Sequence, residues 1–235
     1  MITRSLALLF ALLLLARQDV DPGQRNKDQR LLEPLQGFVG DWRGVGQPRR
    51  GSTVGSWKQL DNWKWRFEQG RASLSFSTMQ GTFFREGHLR ATEAEGIFEL
   101  LARPPQEKAA LQRFRGKLDP SGRLVLLNPD AAAGQPARVT VRLLARGDRM
   151  TMLFEQRLGK SFYSRLAEIG YTRQGSGFGK GQAFPECIVS GGRGTIEVTF
   201  GGKTYYVCCS GCKDFFDDDP EQALAEYQQR LDNKQ

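Results

Sequence analysis

"RVTVRLLARGDRMTMLFEQRL", Arg138 to Leu158, decides the fold class. Val139, Val141 and Leu143 alternate with polar neighbours, and beyond the "RGDR" break at Arg146 to Arg149 the same alternation resumes with Met150, Met152 and Phe154. A period of two puts one face of an extended chain in a core and the other in water. Two such runs around a glycine-bearing break predict neighbouring antiparallel strands. The rhythm continues upstream, with Trp63, Trp65 and Phe67 on one face of "WKWRFEQG", Leu74 and Phe76 on one face of "ASLSFST", and a turn signal in "DPSGR", Asp119 to Arg123. From Leu31 to Arg173 it predicts about nine or ten strands and no helix among them, a mainly β meander closed into an antiparallel barrel or folded as a sandwich. Closure is the favoured solution because it removes exposed strand edges.

Composition agrees with a packed domain: 39% of the 235 residues are hydrophobic and 26% charged, with 27 glycines and 15 phenylalanines. The chain opens "MITRSLALLFALLLLARQDVDPGQ". Arg4 followed by the apolar run Leu6 to Ala16 has the form of an export signal and is shorter than the roughly 20 residues of a membrane span. Residues 1–20 are therefore expected to be a signal peptide, 21–30 a flexible polar lead-in, and the remainder an exported periplasmic or extracellular protein without stable membrane insertion. The net charge of +8 is uneven. Residues 187–235 hold five basic and eight acidic side chains, so the rest carries +11. A basic exported surface can meet anionic polymers, and nucleic acid is not an expected partner.

"RQGSGFGKGQAFPE", Arg173 to Glu186, has four glycines in fourteen residues, and reads as a linker over 174–186. Beyond it, Thr195–Phe200 and Thr204–Cys208 form a predicted hairpin around Gly201-Gly202. A helix follows, with Asp219 as its cap and Pro220 at its first position. The four cysteines, Cys187, Cys208, Cys209 and Cys212, all fall in this segment. Cys208 and Cys212 are one helical turn apart, Cys209 and Cys212 have a two-residue gap, and the helix start favours thiolates. A module of about 50 residues has a marginal core, so a metal or a disulfide is a natural staple. Both chemistries stay open, since four cysteines in an exported chain also allow three disulfide pairings.

The order Cys187, Gly202-Lys203-Thr204-Tyr205-Tyr206, Cys208, Cys212, Lys213, Phe215-Phe216, Asp219-Pro220 resembles the TRASH or YHS domain, a small treble-clef-like ββα module tied to heavy-metal sensing, trafficking and resistance. The resemblance implies a metal-binding triad of Cys187, Cys208 and Cys212. It departs from the family in having Ser190 where many members carry a second cysteine, and in lacking histidine. Cys209 is the first candidate for a fourth ligand, ahead of Glu186, water or a partner's ligand. Soft thiolates imply Zn or Cu as the cofactor. More loosely, Gly40-Asp41-Trp42-Arg43-Gly44-Val45-Gly46 resembles the first strand of lipocalin-like barrels, including the nitrobindin type. That resemblance implies a barrel over 31–173 with room for a small apolar ligand, and Trp42, Trp57, Trp63 and Trp65 are its candidate lining or core residues.

Catalysis finds little support. The only histidine, His88 in "REGHLRAT", is expected in a surface turn, and neither a haem ligand nor a Ser/His/Asp arrangement follows from it. "GSGFGKG" lacks the strand-to-helix context of a phosphate loop. "DDDP" lacks the ligand spacing of a calcium loop. The expectation is a non-enzymatic, soft-metal-binding carrier, buffer or sensor over 187–235. The alternative is a ligand-binding barrel with a disulfide-stapled interaction module.

Overall fold

The structure is a computed structural model that describes residues 22–175 and 184–233. The expected signal segment and residues 176–183 of the expected linker lie outside the described residues. Ten strands form the barrel: β1 (Gly40–Gln47), β2 (Trp57–Glu68), β3 (Arg71–Met79), β4 (Glu86–Ala91), β5 (Phe98–Arg103), β6 (Gln112–Leu118), β7 (Leu124–Leu127), β8 (Arg138–Leu144), β9 (Arg149–Leu158) and β10 (Phe162–Arg173). Each pairs antiparallel with its neighbour in sequence, and β1 pairs with both β2 and β10, closing the sheet. The alternation at Arg138–Leu158 is realised as β8 and β9, with Val139, Val141, Met150, Met152 and Phe154 inside the barrel. His88 is not in a turn. It lies on the outward face of β4, with Nε2 3.2 Å from a guanidinium nitrogen of Arg66. The alternation of β4, with Gly87 and Leu89 turned inward, places His88 on the other face.

The interior is filled by side chains. Trp63 and Trp65 are buried to 1% exposure, Trp63 stacks on Phe76 with centroids 4.7 Å apart, and Leu74, Leu89 and Phe114 complete the packing. Trp42 closes one end: its Nε1 donates to the carbonyl of Phe38 at 2.8 Å, in the 3-10 turn Glu33–Phe38, and the Arg173 guanidinium lies over its ring. Arg173 also donates to the carbonyls of Gly37, Val39 and Gly147, a positive plug satisfied by backbone oxygens. Three of the four tryptophans are thus core, and Trp57 sits at the rim. One patch of the interior is polar. Tyr171 donates to Asp61 at 2.8 Å, and Gln59 donates to both Asp61 and Tyr171. The space beside this trio measures about 10 Å³, room for about one water and not for the apolar ligand expected of the barrel.

The C-terminal module contains the expected hairpin, β11 (Ile196–Phe200) and β12 (Lys203–Val207), but two helices rather than one. α2 (Ser210–Asp218) starts directly after the cysteine pair, and α3 (Pro220–Asp232) begins at the predicted Pro220, with Asp219 accepting from the Gln222 amide at 2.9 Å. Asp219 both ends one helix and caps the next. No helix among the described residues is long and apolar enough to cross a membrane.

Module and barrel meet at a strand edge. β1 covers β2 only as far as Trp63, opposite Gly40, so beyond it β2 presents unpaired backbone. The N-terminus of α2 docks there. The Trp65 amide donates to Cys209 Sγ at 3.4 Å, and a Cβ at Gly211 would lie 1.7 Å from the Trp65 carbonyl oxygen. The Phe67 and Phe215 rings pack at 4.9 Å alongside. The segment expected as a flexible lead-in is instead helix α1 (Pro22–Leu32), which clasps both parts. Its Asp28 accepts from Arg71 and from the Ala72 amide of β3, and its Arg25 pairs with Glu226 of α3 and covers the Phe215 ring. Composition misled because the polar residues of this segment are the ones that find buried partners.

Two consequences are measurable. Gly211→Ala gains up to about 1 kcal/mol of helix propensity, yet must push α2 off the β2 edge, an overpacking cost of about 1–3 kcal/mol or more. The variant is expected to unfold at lower denaturant than wild type, read by tryptophan fluorescence. Burial lifts the Asp61 carboxyl from 3.8 to about 6, against hydrogen bonds from Tyr171, Gln59 and Thr78 that pull it down. Between these values the folded state holds a proton that the unfolded chain has released, so this group's contribution to stability falls as pH rises through the window, by about 3 kcal/mol in all. Asp61→Asn should remove that pH dependence in urea titrations at pH 4 and pH 7.

Candidate metal centre

Cys187, Cys208 and Cys212 converge from three elements, with their sulfurs all within 4.8 Å of one another. Cys187 opens a tight turn before the hairpin, Cys208 directly follows β12, and Cys212 lies in the first turn of α2. The Cys187 turn is closed by the Gly191 amide donating to the Cys187 carbonyl at 2.8 Å and the Cys187 amide donating to Gly192 at 2.7 Å. Arg230, near the end of α3, donates to the carbonyls of Cys187, Ile188 and Val189 at 2.8–3.2 Å, so the second helix pins the first ligand. Thr195 Oγ1 donates to the Cys208 carbonyl at 3.3 Å.

The sulfurs are buried, Cys187 and Cys212 fully and Cys208 to 7% exposure, and all four cysteines are unbridged thiols. The Sγ atoms of Cys208 and Cys212 are 3.5 Å apart. Sulfurs held at about 2.3 Å from one tetrahedral ion stand about 3.8 Å apart, so the triad needs little movement to take one. Polar groups already address the sulfurs. The Ser190 amide donates to Cys187 Sγ at 3.4 Å, and the Ser190 hydroxyl lies 3.3 Å from Cys208 Sγ. The N-terminus of α2 adds a partial positive charge.

These thiols cannot ionise independently. Burial pushes the Cys212 thiol up, and neighbouring sulfurs push it further. For Cys187 burial acts upward too, but hydrogen bonds from Cys208, Cys212 and Ser190 outweigh it and bring the thiol well down. Without a cation, the S–H groups of the neighbours favour the thiolate form of Cys187. A bound soft cation replaces those protons, so the donor set fits a thiolate-bound metal.

Cys209 stands beside the triad. Its Sγ is 3.8 Å from that of Cys208, and it accepts the Trp65 amide. Glu186 lies 3.5 Å from Arg230 and is not part of the sulfur group. Sequence reasoning gathered the four cysteines and noticed Ser190 only as a departure from a pattern. Arg230, Trp65 and Gly211 were missed. Arg230 reads as an ordinary basic residue at a helix end, and nothing local ties Trp65 to a cysteine 144 positions away. A cleft of about 620 Å³ opens next to the centre, between the barrel end and the module, with Asp41, Asn62, Arg173, Arg193, Cys208 and Cys209 among its walls.

No family model matches the chain, and no curated protein matches it. Among solved structures it is similar to the crystal structure of Rv2717c from M. tuberculosis, at 15% identity and a TM-score of 0.39, over 61% of this chain and 97% of that one.

Proposed function

We propose that the protein is a non-enzymatic, exported binder of a soft transition metal, Zn(II) or Cu(I), acting as a carrier, buffer or sensor. The observation that carries this reading is the convergence of three buried, unbridged thiols within 4.8 Å. The resemblance of the Cys187, Cys208 and Cys212 order to TRASH or YHS modules supports it. Arg4 and the apolar run Leu6 to Ala16 support export. Soft sulfur donors prefer Cu(I) and Zn(II) over hard cations. The filled barrel interior favours this reading over an apolar-ligand carrier, and leaves the barrel as the scaffold that positions the module.

Reduced full-length protein, desalted without oxygen after exposure to Zn(II) or to Cu(I), is expected to retain about one ion per chain by elemental analysis. The Cys208→Ser/Cys212→Ser double variant should retain none. A reduced wild type that keeps neither metal would overturn the reading. Ser190→Ala removes a hydroxyl that addresses Cys208 and leaves the amide on Cys187. It should weaken metal affinity by about 10–100-fold in competition with a chromophoric chelator, the usual effect of losing a group that orients a ligand.

A further inference from the structure

We propose that the cleft between barrel and module admits a small thiol, which supplies the fourth ligand to the metal held by Cys187, Cys208 and Cys212. This rests on the metal-centre reading above.

Three sulfurs share the centre, whereas Zn(II) in thiolate sites takes four donors and keeps one position exchangeable where the protein supplies three. The side chains that could fill that position from within lie outside the three-sulfur group or are held by other contacts. Cys209 Sγ is 3.8 Å from Cys208 Sγ but is not one of the three sulfurs that lie within 4.8 Å of one another, and it accepts the backbone amide of Trp65 at the seam between barrel and module. Glu186 pairs with Arg230. The Ser190 hydroxyl accepts from the Gly192 amide at 3.3 Å while touching Cys208.

Access is one-sided. Cys187 and Cys212 have no exposed surface, and of the triad only Cys208 lines the cleft. At about 620 Å³ the cleft is in the range of small-ligand sites, roughly 300–1,000 Å³. Its walls mix apolar side chains, Val39 and Ile196, with polar ones, Asn62, Arg193 and Tyr206, and so can take a thiol carried on a short body with both kinds of surface. The donor that matches a soft ion already bound by sulfur is another sulfur. The step is a ligand exchange: the S–H bond of the entering thiol breaks, its proton goes to solvent, a metal–sulfur bond forms and a bound water leaves. No atom changes oxidation state. A ligand that comes and goes from the cleft gives metal transfer a route that does not require opening the buried side of the cluster.

Co(II), a spectroscopic substitute for Zn(II), reports thiolate number through its sulfur-to-metal absorption. Full-length reduced protein loaded with Co(II) would be titrated with glutathione as the probe thiol and with S-methylglutathione as the thiol-free control. The expected result is a saturable rise of the sulfur-to-cobalt band from three thiolates' worth to four with glutathione alone, and none with the control. Asn62→Trp, which fills the cleft from the barrel side, should keep the Co(II) spectrum and lose the glutathione response. A wild-type spectrum that already carries four thiolates, ignores glutathione and drops to three in Cys209→Ala would overturn the proposal by making Cys209 the fourth ligand. A three-thiolate spectrum insensitive to glutathione would overturn it as well. Absence of any cobalt–thiolate absorption would instead sink the metal-centre reading itself.

Discussion

The structure depends on how one strand edge is covered. β2 outruns β1 by five residues, Lys64 to Glu68, and an unpaired edge over a tryptophan-rich core invites wrong partners. The chain answers with the start of α2 rather than with another strand. A helix can approach a strand edge this closely only where it has no side chain, which is the place of Gly211 against the Trp65 carbonyl. The strand amide left over needs an acceptor, and Cys209 Sγ provides it. "CCSGC" is therefore a joint as well as a donor set. Cys208 and Cys212 face inward to Cys187, while Cys209 and Gly211 face the barrel.

That division assigns the barrel a role its own interior does not. Its core is packed with aromatic rings, and its one polar patch, Gln59, Asp61 and Tyr171, is occupied by mutual hydrogen bonds. What the barrel contributes to the cysteine module is rigidity. The edge of β2 fixes α2, and α1 ties the outer end of the module to β3 through Asp28 and Arg25. A module of about fifty residues has too little core to hold three ligands to within tenths of an ångström on its own. Packed on a closed sheet, it borrows the order of the larger unit.

Much of this was legible in the chain. The alternation over Arg138–Leu158 became β8 and β9, Gly201-Gly202 became the hairpin turn with both residues at positive φ, and Asp219-Pro220 became a helix start. Each is a local rule with a local cause. The failures share a different cause. α1 read as disorder because its charges looked solvated, whereas Arg25 and Asp28 are among the buried polar residues. On β2 the alternation that buries Trp63 and Trp65 also carries Gln59 and Asp61 inward and leaves Leu60 exposed, and the Tyr171 partner on β10 that satisfies them lies more than a hundred residues away. The candidate site divides the same way. The triad could be read from spacing and family resemblance, but the groups that orient it, Arg230 and Ser190, and the Trp65 amide that meets Cys209, became visible only once distant segments met.

The protonation of the sulfur cluster links fold to chemistry. Folding brings four thiols together behind Trp65, in a place where burial opposes their ionisation: hydrogen bonds from Cys208, Cys212 and Ser190 outweigh it at Cys187, while neighbouring sulfurs add to it at Cys212. In such a cluster protons and metal compete for the same lone pairs, and each proton displaced removes a donor that stabilised a neighbour's thiolate. Metal uptake by such a cluster would be cooperative among the thiols, since the fully deprotonated set is stable only around a cation. It would release more than one proton per ion and strengthen with rising pH. The same cluster without metal holds Cys208 and Cys212 with their sulfurs 3.5 Å apart, close enough for an oxidant to join them. A bound ion removes that possibility by occupying the thiolates. A filled centre would thus be protected from oxidation, and in the exported setting proposed above its persistence would depend on metal supply.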